Sequence, residues 1–346
     1  MTPATTHHAR QALRRAASRA RLAPSIHNTQ PWHMRLEGSA LVMELDPDRT
    51  LPVVDPHLRQ AWISCGCALF NARASLSGED VGFRVLRFPE GDGSLVFARL
   101  ELTDEPTTDT VDTVAREALS ELDPAIPRRH TNRTRYDDNP VGQGFLTRLS
   151  AAALVEDGIL TAILREEHRD AVARLTQRAD ATLYADPAYR AELREWTTDN
   201  PYRRDGVQSS LVPHVDGTSH DEIPLRDFDT SGTGRLPAAV GSNRHQTMLV
   251  LGTAGDTRLD WLRAGEALEH VFLEIARFGY ATSPLMQALE VPATRSELRR
   301  ELGMAYFPQF LFRVGKAPAT PPSPRLHLED LLSEEAVTGP SSGTSA

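Results

Sequence analysis

The sequence lacks the features that mark secreted, membrane-spanning and nucleic-acid-binding proteins. Two cysteines in 346 residues are too few for a disulfide framework. No apolar run reaches the roughly 18 residues of a membrane span, and residues 1–14 lack the apolar core of a signal peptide. Because 47 acidic residues outnumber 38 basic ones, the net charge of -9 disfavours broad binding to nucleic acid or anionic membranes. We therefore expect a cytoplasmic protein with neither of these partners.

Signatures of several enzyme classes are also missing. The stretches Gly91–Gly93 and Gly232–Gly234 lack the further glycines and the strand-to-helix setting of a dinucleotide-binding loop. The twelve histidines form no H-x-x-x-H set, and Cys65 and Cys67 stand alone, so we expect no metal site. A G-x-S-x-G nucleophile elbow is absent. We interpret the two cysteines as small buried residues of a helix.

The composition is typical of a folded protein, with 40% apolar and 25% charged residues. The length allows two domains or one large unit with internal symmetry. Helical and strand-like patterns alternate along the chain, which indicates the α+β class. The strand candidates are Leu41–Leu45, Val81–Phe88, Ser94–Leu102, Thr247–Leu251 and Gln309–Val314. The helix candidates are Arg10–Arg21, Thr110–Leu122, Gln143–Ala153, Arg169–Thr182, Pro187–Thr197 and Ser296–Leu302.

An internal repeat indicates that the chain consists of two related halves. Residues 59–69 and 258–268 both read R-x-x-W-x-x-x-G-x-A-L, with identical spacing throughout. Each copy opens a helical pattern and follows a β-like stretch. The matched Gly66 and Gly265 would let the two helices pack closely across a pseudo-twofold axis, which leaves a cleft between the halves. The simpler alternative is two unrelated buried helices that share small residues.

These patterns predict a domain organisation. We expect a disordered N-terminus over 1–9, a first half over 10–125, a second half over 126–332 and a disordered tail over 333–346. Within the second half, the polar tract 199–244 is interrupted repeatedly by glycine and proline. Because so long a tract is uncommon in a compact domain, it is either a cover for an active site or disordered. We expect a lid-like insertion.

The loop after the basic N-terminal helix is the first candidate site. Pro24 and Pro31 stop the helix and fix an extended loop. On this loop Ser25, Asn28 and Gln30 present hydroxyl and amide groups suited to the edge of a planar heterocycle. The residue types fit equally well a plain helix-to-strand connection whose polar side chains satisfy nearby backbone.

This loop contains the pattern P-S-x-x-N-x-Q-P-W, which resembles the loop that touches the flavin ring in FMN-dependent nitroreductases. In that family the loop comes from the opposite subunit. The resemblance implies that Pro24, Ser25, Ile26 and Asn28 line the isoalloxazine ring of FMN. Gln30 joins this cofactor-binding set mainly as a loop-shaping residue.

A second resemblance lies in the basic stretch 128–141, which is similar to the R-R-S-x-R-x-F opening of the same family. Closely spaced arginines beside a hydroxyl offer charged donors for phosphate and for the electron-rich edge of a reduced flavin. The resemblance implies that Arg129, His130, Thr131 and Arg133 contact the cofactor, with Arg133 nearest N1 and O2. The alternative is a solvated basic turn.

Two further segments complete the implied site. Residues 279–287 follow the second repeat helix, where nitroreductases place a turn whose backbone N–H points at flavin N5. This turn departs from the usual Glu-Gly of the family, and Met286 or Gln287 would supply the N–H by position. Arg325 matches a phosphate-binding arginine of the family. The implied cofactor-binding set also contains Pro284 and Leu285.

The resemblance covers nearly the whole chain and is closest to the fused, Acg-like branch of the nitroreductase superfamily. It implies an α+β fold of two fused halves, with mixed or antiparallel sheets flanked by helices. The ring-reading loop occurs only in the first half and the R-H-T-x-R set only in the second. One FMN site per chain follows, in a pseudo-dimeric monomer that could dimerise further.

The implied function is an FMN-dependent oxidoreductase that passes electrons from NAD(P)H to a small aromatic or quinone-like acceptor. No catalytic side chain is expected, because the flavin itself carries the electrons. Two alternatives stay open. One is a flavin-binding or flavin-sequestering Acg-like protein whose lid blocks the site, and the other is a biosynthetic FMN-dependent dehydrogenase.

Overall fold

A computed structural model describes residues 3–79, 81–103, 116–137, 139–212, 223, 225–228 and 246–334. Its helices are α1 (Pro3–Ala20), α2 (Arg59–Ser77), α3 (Gln143–Val155), α4 (Glu166–Ala185), α5 (Pro187–Glu195), α6 (Arg258–Arg277), α7 (Gln287–Glu290), α8 (Pro292–Glu301) and α9 (Leu328–Leu331). Residues 116–120 are also helical. Within the described part of the chain, no helix combines the length and apolar character needed to cross a membrane.

The strands form two main sheets and one small pair. They are β1 (Trp32–Glu37), β2 (Ala40–Leu45), β3 (Gly82–Arg87), β4 (Val96–Thr103), β5 (Ile159–Ala162), β6 (Thr197–Thr198), β7 (Val207–Gln208), β8 (Thr247–Thr253), β9 (Ala281–Pro284), β10 (Phe307–Gly315) and β11 (Leu332–Glu334). The first sheet has the order β11-β1-β2-β4-β3, and the second has the order β5-β8-β10-β9. The first is mixed because β11 runs parallel to β1, whereas the second is antiparallel. The predicted α+β class is confirmed.

The two repeat helices, α2 and α6, cross at their matched glycines. A Cβ atom added to Gly66 would lie 2.0 Å from the carbonyl oxygen of Leu262, and one added to Gly265 would lie 2.0 Å from that of Ile63. Ile63 and Leu262 occupy equivalent positions of the repeat, so the two contacts are reciprocal, as in a twofold interface. This crossing confirms the expected close packing of two related halves.

Residues at both expected disordered ends of the chain belong to regular secondary structure. Helix α1 begins at Pro3, so residues 3–9 are helical, and Ala9 is buried. Ser333 and Glu334, expected in a disordered tail, belong to β11. They are held there because the edge of β1 accepts one more strand and because Arg10 donates to the Glu334 carboxylate at 2.5 Å. Residues 1–2 and 335–346 lie outside the described residues.

Candidate functional site

A cleft with an open volume of about 870 Å³ lies beside the crossing of the repeat helices. Its apolar walls include Ile63 from α2, Leu268 and Phe272 from α6, and Phe310 from β10. Three sequence segments predicted separately to form a site meet on this cleft. The predicted residues that line it are Pro24, Ser25, Ile26, Thr131, Arg133, Pro284, Met286 and Gln287.

A more polar extension of about 480 Å³ continues from the same segments. It shares Pro24, Ser25, Thr131 and Arg133 with the main cleft. Three more predicted residues line the extension, namely Asn28, His130 and Arg325. The combined shape is therefore an apolar slot that leads into a polar arm.

The loop between α1 and β1 has unusual backbone geometry. His27, Asn28 and Gln30 have φ angles of 43°, 57° and 53°, in the left-handed region that non-glycine residues rarely adopt. The Ser25 hydroxyl accepts a hydrogen bond from the Gln30 backbone N–H at 2.9 Å and so closes the turn. Strained backbone of this kind persists where the surrounding structure fixes it, and it is common at functional sites.

Two predicted loop residues use their amides on neighbouring backbone. Asn28 Nδ2 donates to the carbonyl oxygens of Gly206 at 3.0 Å and Pro324 at 3.1 Å. Its Oδ1 atom is buried without a hydrogen-bond partner among the described residues. Gln30 is fully buried and donates to the Arg204 carbonyl oxygen at 2.9 Å. Gln30 therefore ties the loop to other segments, whereas Asn28 ties the loop and also faces the polar arm.

The stretch that carries Arg133 is held against the second sheet. The Asn132 N–H donates to the carbonyl oxygen of Thr282 in β9 at 2.9 Å, and Thr131 forms a parallel bridge to the same residue. The buried Arg313 guanidinium donates to the Arg133 carbonyl oxygen at 3.1 Å. These contacts turn the Arg133 side chain to the cleft, while Arg135 is exposed.

The Arg133 guanidinium has an uncompensated charge in the described structure. No carboxylate among the described residues forms an ion pair with it. Burial and the neighbouring positive charge of Arg226 lower its pKa to about 10. Its guanidinium carbon lies 5.3 Å from the centroid of the Phe228 ring. A partly buried cation without a counter-ion is unfavourable, so an anionic or electron-rich ligand in the cleft would stabilise it.

Two further predicted arginines lie close to one buried carboxylate. Arg129 Nε is 3.4 Å from Glu269 Oε1, and both side chains are nearly inaccessible. Arg325 Nε donates to the carbonyl oxygen of Ala23 at 3.3 Å, and burial followed by the charge of Arg129 lowers the Arg325 pKa to about 9. Burial raises the pKa of Glu269 to about 7. Two guanidinium groups near a single carboxyl leave positive charge for a phosphate.

The predicted turn after α6 is only partly directed at the cleft. Pro284, Met286 and Gln287 line it. Leu285 does not, because its side chain is buried in the core and its N–H donates to the Leu311 carbonyl oxygen at 2.8 Å. The Gln287 side chain forms a hydrogen bond with Asp180.

The sequence patterns did not predict several residues that line the cleft. His27 occupies a variable position of the loop motif and lines both parts of the cleft. Arg226 and Phe228 come from the polar tract, and Glu290 ends α7. Arg226 forms a buried ion pair with Glu290, donates to the Tyr189 hydroxyl at 3.0 Å and donates to His27 Nε2 at 3.2 Å. The sequence signal for these residues was an arginine and an aromatic residue, Arg226 and Phe228, within an otherwise polar stretch.

The described parts of the tract 199–244 lie against the cleft. Leu225, Arg226 and Phe228 line its main body, and Val207 and Leu211 line the polar arm. The rest of the tract, residues 213–222, 224 and 229–244, is outside the described residues. A lid function for the whole tract stays a prediction.

Comparisons with known proteins settle the family. No protein-family model matches the chain. Rv3131 of Mycobacterium tuberculosis, provisionally named an NAD(P)H nitroreductase, is 32% identical over 315 residues, 90% of this chain and 88% of the relative. The chain belongs to the nitroreductase superfamily. The nitroreductase relative acg of the same organism is 29% identical over 316 residues, 90% of this chain and 92% of acg.

A solved structure has the same nitroreductase fold along the length of the chain. It is a provisionally named nitroreductase from Anabaena variabilis, 12% identical, with a TM-score of 0.50, and the match covers 92% of this chain and 90% of that one. The predicted membership of the nitroreductase superfamily in its Acg-like branch is confirmed, as is the fold class. The roles assigned to individual site residues stay predictions.

Proposed function

We propose that the protein is an FMN-dependent oxidoreductase that transfers electrons from NAD(P)H to a small aromatic or quinone-like acceptor. The observation that carries this proposal is Arg133, a guanidinium on the cleft wall without a carboxylate partner among the described residues. An electron carrier that becomes negatively charged on reduction would receive from Arg133 the interaction that the free protein lacks.

The shape and chemistry of the cleft also fit FMN. The apolar slot between Phe272 and the loop carrying Ile26 suits a flat ring system. Arg325 lines the polar arm, and the positive charge of Arg129 acts on it from nearby, which suits the ribityl phosphate. Ligand pockets of this kind combine apolar walls with a few convergent polar groups.

The proposed mechanism assigns binding and electrostatic roles to the chain. Bound FMN would supply the two-electron chemistry. Arg133 would favour the anionic reduced ring, and Arg129 and Arg325 would hold the phosphate. Pro284, Met286 and Gln287 would shape the turn beside the ring. The apolar side chains of Phe272 and Leu268 exclude water from the slot and so strengthen these interactions.

We also propose that one site arises from both halves of the chain. The loop that carries Ser25 belongs to the half over 10–125, whereas Arg133 and Arg325 belong to the half over 126–332. Both sets line two neighbouring cavities that share Ser25 and Arg133 in their walls. The fused chain would therefore supply within one molecule the two surfaces that separate subunits supply in a homodimeric relative.

The test is flavin binding by variants in opposite halves. The purified protein, or protein incubated with FMN, should show flavin absorbance bands. Asn28→Ala and Arg129→Ala should each weaken FMN binding about tenfold in a fluorescence titration, because each removes polar or charged contacts at the site. Arg128→Ala is the matched control, since this neighbouring arginine is exposed. Undiminished FMN binding by both variants, or a protein that takes up no FMN, would overturn the proposal.

A second function is favoured by one observation. Leu225, Arg226 and Phe228 from the polar tract occupy the wall of the cleft and would limit access to a ring bound there. A flavin-sequestering protein would retain FMN yet exclude nicotinamide. Anaerobic addition of NADPH to the FMN-loaded protein separates the two functions. Bleaching of the flavin bands supports the oxidoreductase, and persistent oxidised bands support sequestration.

A further inference from the structure

We propose that His27 is a substrate-binding catalytic residue whose neutral imidazole donates a hydrogen bond from Nδ1–H to the oxygen of a carbonyl or nitro acceptor. This inference rests on the proposed oxidoreductase function and deepens it, because it names the acceptor chemistry. It concerns a side chain of the flavin-contacting loop to which the sequence motif assigns no role.

The tautomer of His27 follows from its contact with Arg226. Arg226 Nη1 lies 3.2 Å from His27 Nε2, and a guanidinium nitrogen can only donate a hydrogen bond. Nε2 must therefore accept. The single ring proton of neutral histidine then resides on Nδ1. The Nδ1 atom is buried and has no hydrogen-bond partner among the described residues.

Arg226 and Phe228 hold the imidazole in this orientation. Arg226 is itself fixed by a buried ion pair with Glu290 and by donation to the Tyr189 hydroxyl at 3.0 Å. The Phe228 ring packs edge-on against the imidazole with its centroid 5.9 Å away. The imidazole is thus oriented from two sides, and its free N–H belongs to a residue on the wall of the cleft. A buried donor without an acceptor is unfavourable, and a ligand oxygen would satisfy it.

The charge state of His27 determines its chemistry. Burial, followed by the positive charges of Arg226 and Arg133, holds the His27 pKa well below its usual range. The ring is neutral at physiological pH, so it acts as a hydrogen-bond donor and not as a proton source. Neutral histidine donors of this kind stabilise oxygen atoms that gain negative charge during a reaction.

Bound FMN would supply the reducing chemistry, a hydride equivalent of two electrons and one proton, so that the quinone is reduced and the FMN oxidised. Negative charge develops on a quinone oxygen, where His27 Nδ1–H donates to it. A proton from water completes the hydroquinone, and His27 keeps its own proton. For a nitro acceptor, the same donor would face a nitro oxygen.

The backbone at His27 suits two informative substitutions. Its φ of 43° is tolerated by asparagine as well as by histidine. His27→Asn keeps an N–H donor of shorter reach, and His27→Ala removes the donor. Neither removes a partner that Arg226 requires for charge balance, because Glu290 remains.

The decisive measurement is stopped-flow reoxidation of photoreduced, FMN-loaded protein. Menadione tests the oxygen acceptor, and ferricyanide, which takes electrons without a developing oxyanion, is the control. We expect His27→Ala to slow reoxidation by menadione about tenfold or more while the ferricyanide rate stays the same. His27→Asn should recover part of the menadione rate. An unchanged menadione rate, or equal losses with both oxidants, would overturn the inference.

A second readout is independent of activity. In protein labelled with ¹⁵N-histidine, His27 should give the resonances of an Nδ1-protonated neutral ring at neutral pH. An Nε2-protonated ring would overturn the proposed tautomer. Failure to bind FMN would refute the proposed function, and the NMR result would still decide the tautomer. Wild-type reduced protein that reacts with ferricyanide but not with menadione would refute the acceptor chemistry alone.

Discussion

Gly66 and Gly265 meet at the crossing of α2 and α6, where the Cα of each lies within 2.9 Å of the position a Cβ on the other would occupy. Such an approach is open only to glycine at both positions. The distance to backbone carbonyl oxygens is shorter still, at 2.0 Å, so a side chain could not be accommodated by a rotamer change. The helices would have to separate.

We therefore predict that Gly66→Ala and Gly265→Ala each lower the free energy of unfolding by about 3 kcal/mol or more, despite the better helix propensity of alanine. Chemical denaturation measures the loss. Gly144→Ala in α3 is the matched control, because no atom lies within 4 Å of its added Cβ, and it should be neutral or mildly stabilising. Equal behaviour of the three variants would contradict the tight crossing.

The second prediction concerns opposite effects of Arg133→Gln. The FMN-free protein should become more stable, by on the order of 1 kcal/mol, because a partly buried cation without a counter-ion is removed. FMN binding should weaken about 10-fold to 100-fold, because a charge-assisted hydrogen bond is lost. Thermal melting and FMN titration measure the two effects.

Arg300→Gln serves as the control for that comparison. Its side chain is 75% exposed, so the substitution should change neither quantity appreciably. A loss of both stability and FMN binding in Arg133→Gln would show that Arg133 is a structural residue.

The third prediction concerns access to the cleft. Phe228→Ala should let NADPH reduce bound FMN several-fold faster, because the ring lines the cleft and packs over Arg133. Anaerobic stopped-flow reduction measures this rate, after the FMN content of each variant has been matched. Tyr202→Ala, in the same tract but 88% exposed, should leave the rate unchanged. An unaltered rate in Phe228→Ala would exclude this ring as a barrier.

The fourth prediction is a pH dependence of stability that involves Asp180. Burial raises its pKa from 3.8 to about 7, so between these values the folded protein keeps a proton that the unfolded chain releases. The contribution of Asp180 to stability is therefore lost as the pH rises from about 4 to 7. The asparagine of Asp180→Asn has no carboxyl group to titrate, so the variant does not lose stability in this way.

The stability of Asp180→Asn relative to wild type should thus increase across that window, by on the order of 2 kcal/mol, and then level off. Parallel denaturation curves at pH 5 and pH 8 reveal the change, because other titrating groups are common to both proteins. A constant difference between the two proteins at all pH values would contradict the raised pKa.

Much of the fold was accessible from the sequence because its signals are local or repeated. The repeated R-x-x-W-x-x-x-G-x-A-L pattern predicted both the helices and their crossing. Strand β8 was predicted as Thr247–Leu251 because its apolar run is bounded by turn residues. In the structure it extends to Thr253. Strand β1 was missed although W-H-M-R-L-E alternates apolar and polar residues, which is the signal of a half-buried strand.

Other features depend on contacts between distant segments and leave no local pattern. The ion pair of Arg226 and Glu290 joins residues 64 positions apart, and neither charge is distinctive alone. His27 is oriented by Arg226 and Phe228, both of which lie about 200 positions away in the chain. Leu285 was expected at the cofactor together with its neighbours, but the pairing of β9 with β10 turns its side chain into the core. The predicted helix Thr110–Leu122 lies partly outside the described residues, and 116–120 are helical.

The pairing of β11 with β1 constrains the order in which the molecule can be completed. Ser333 Oγ donates to the Met34 carbonyl oxygen, 299 positions away in the chain. During synthesis on the ribosome, β1 therefore lacks a partner along one edge until almost all of the described chain has been made. Truncation before Leu332 would expose that edge, and an exposed strand edge is a template for association with other chains.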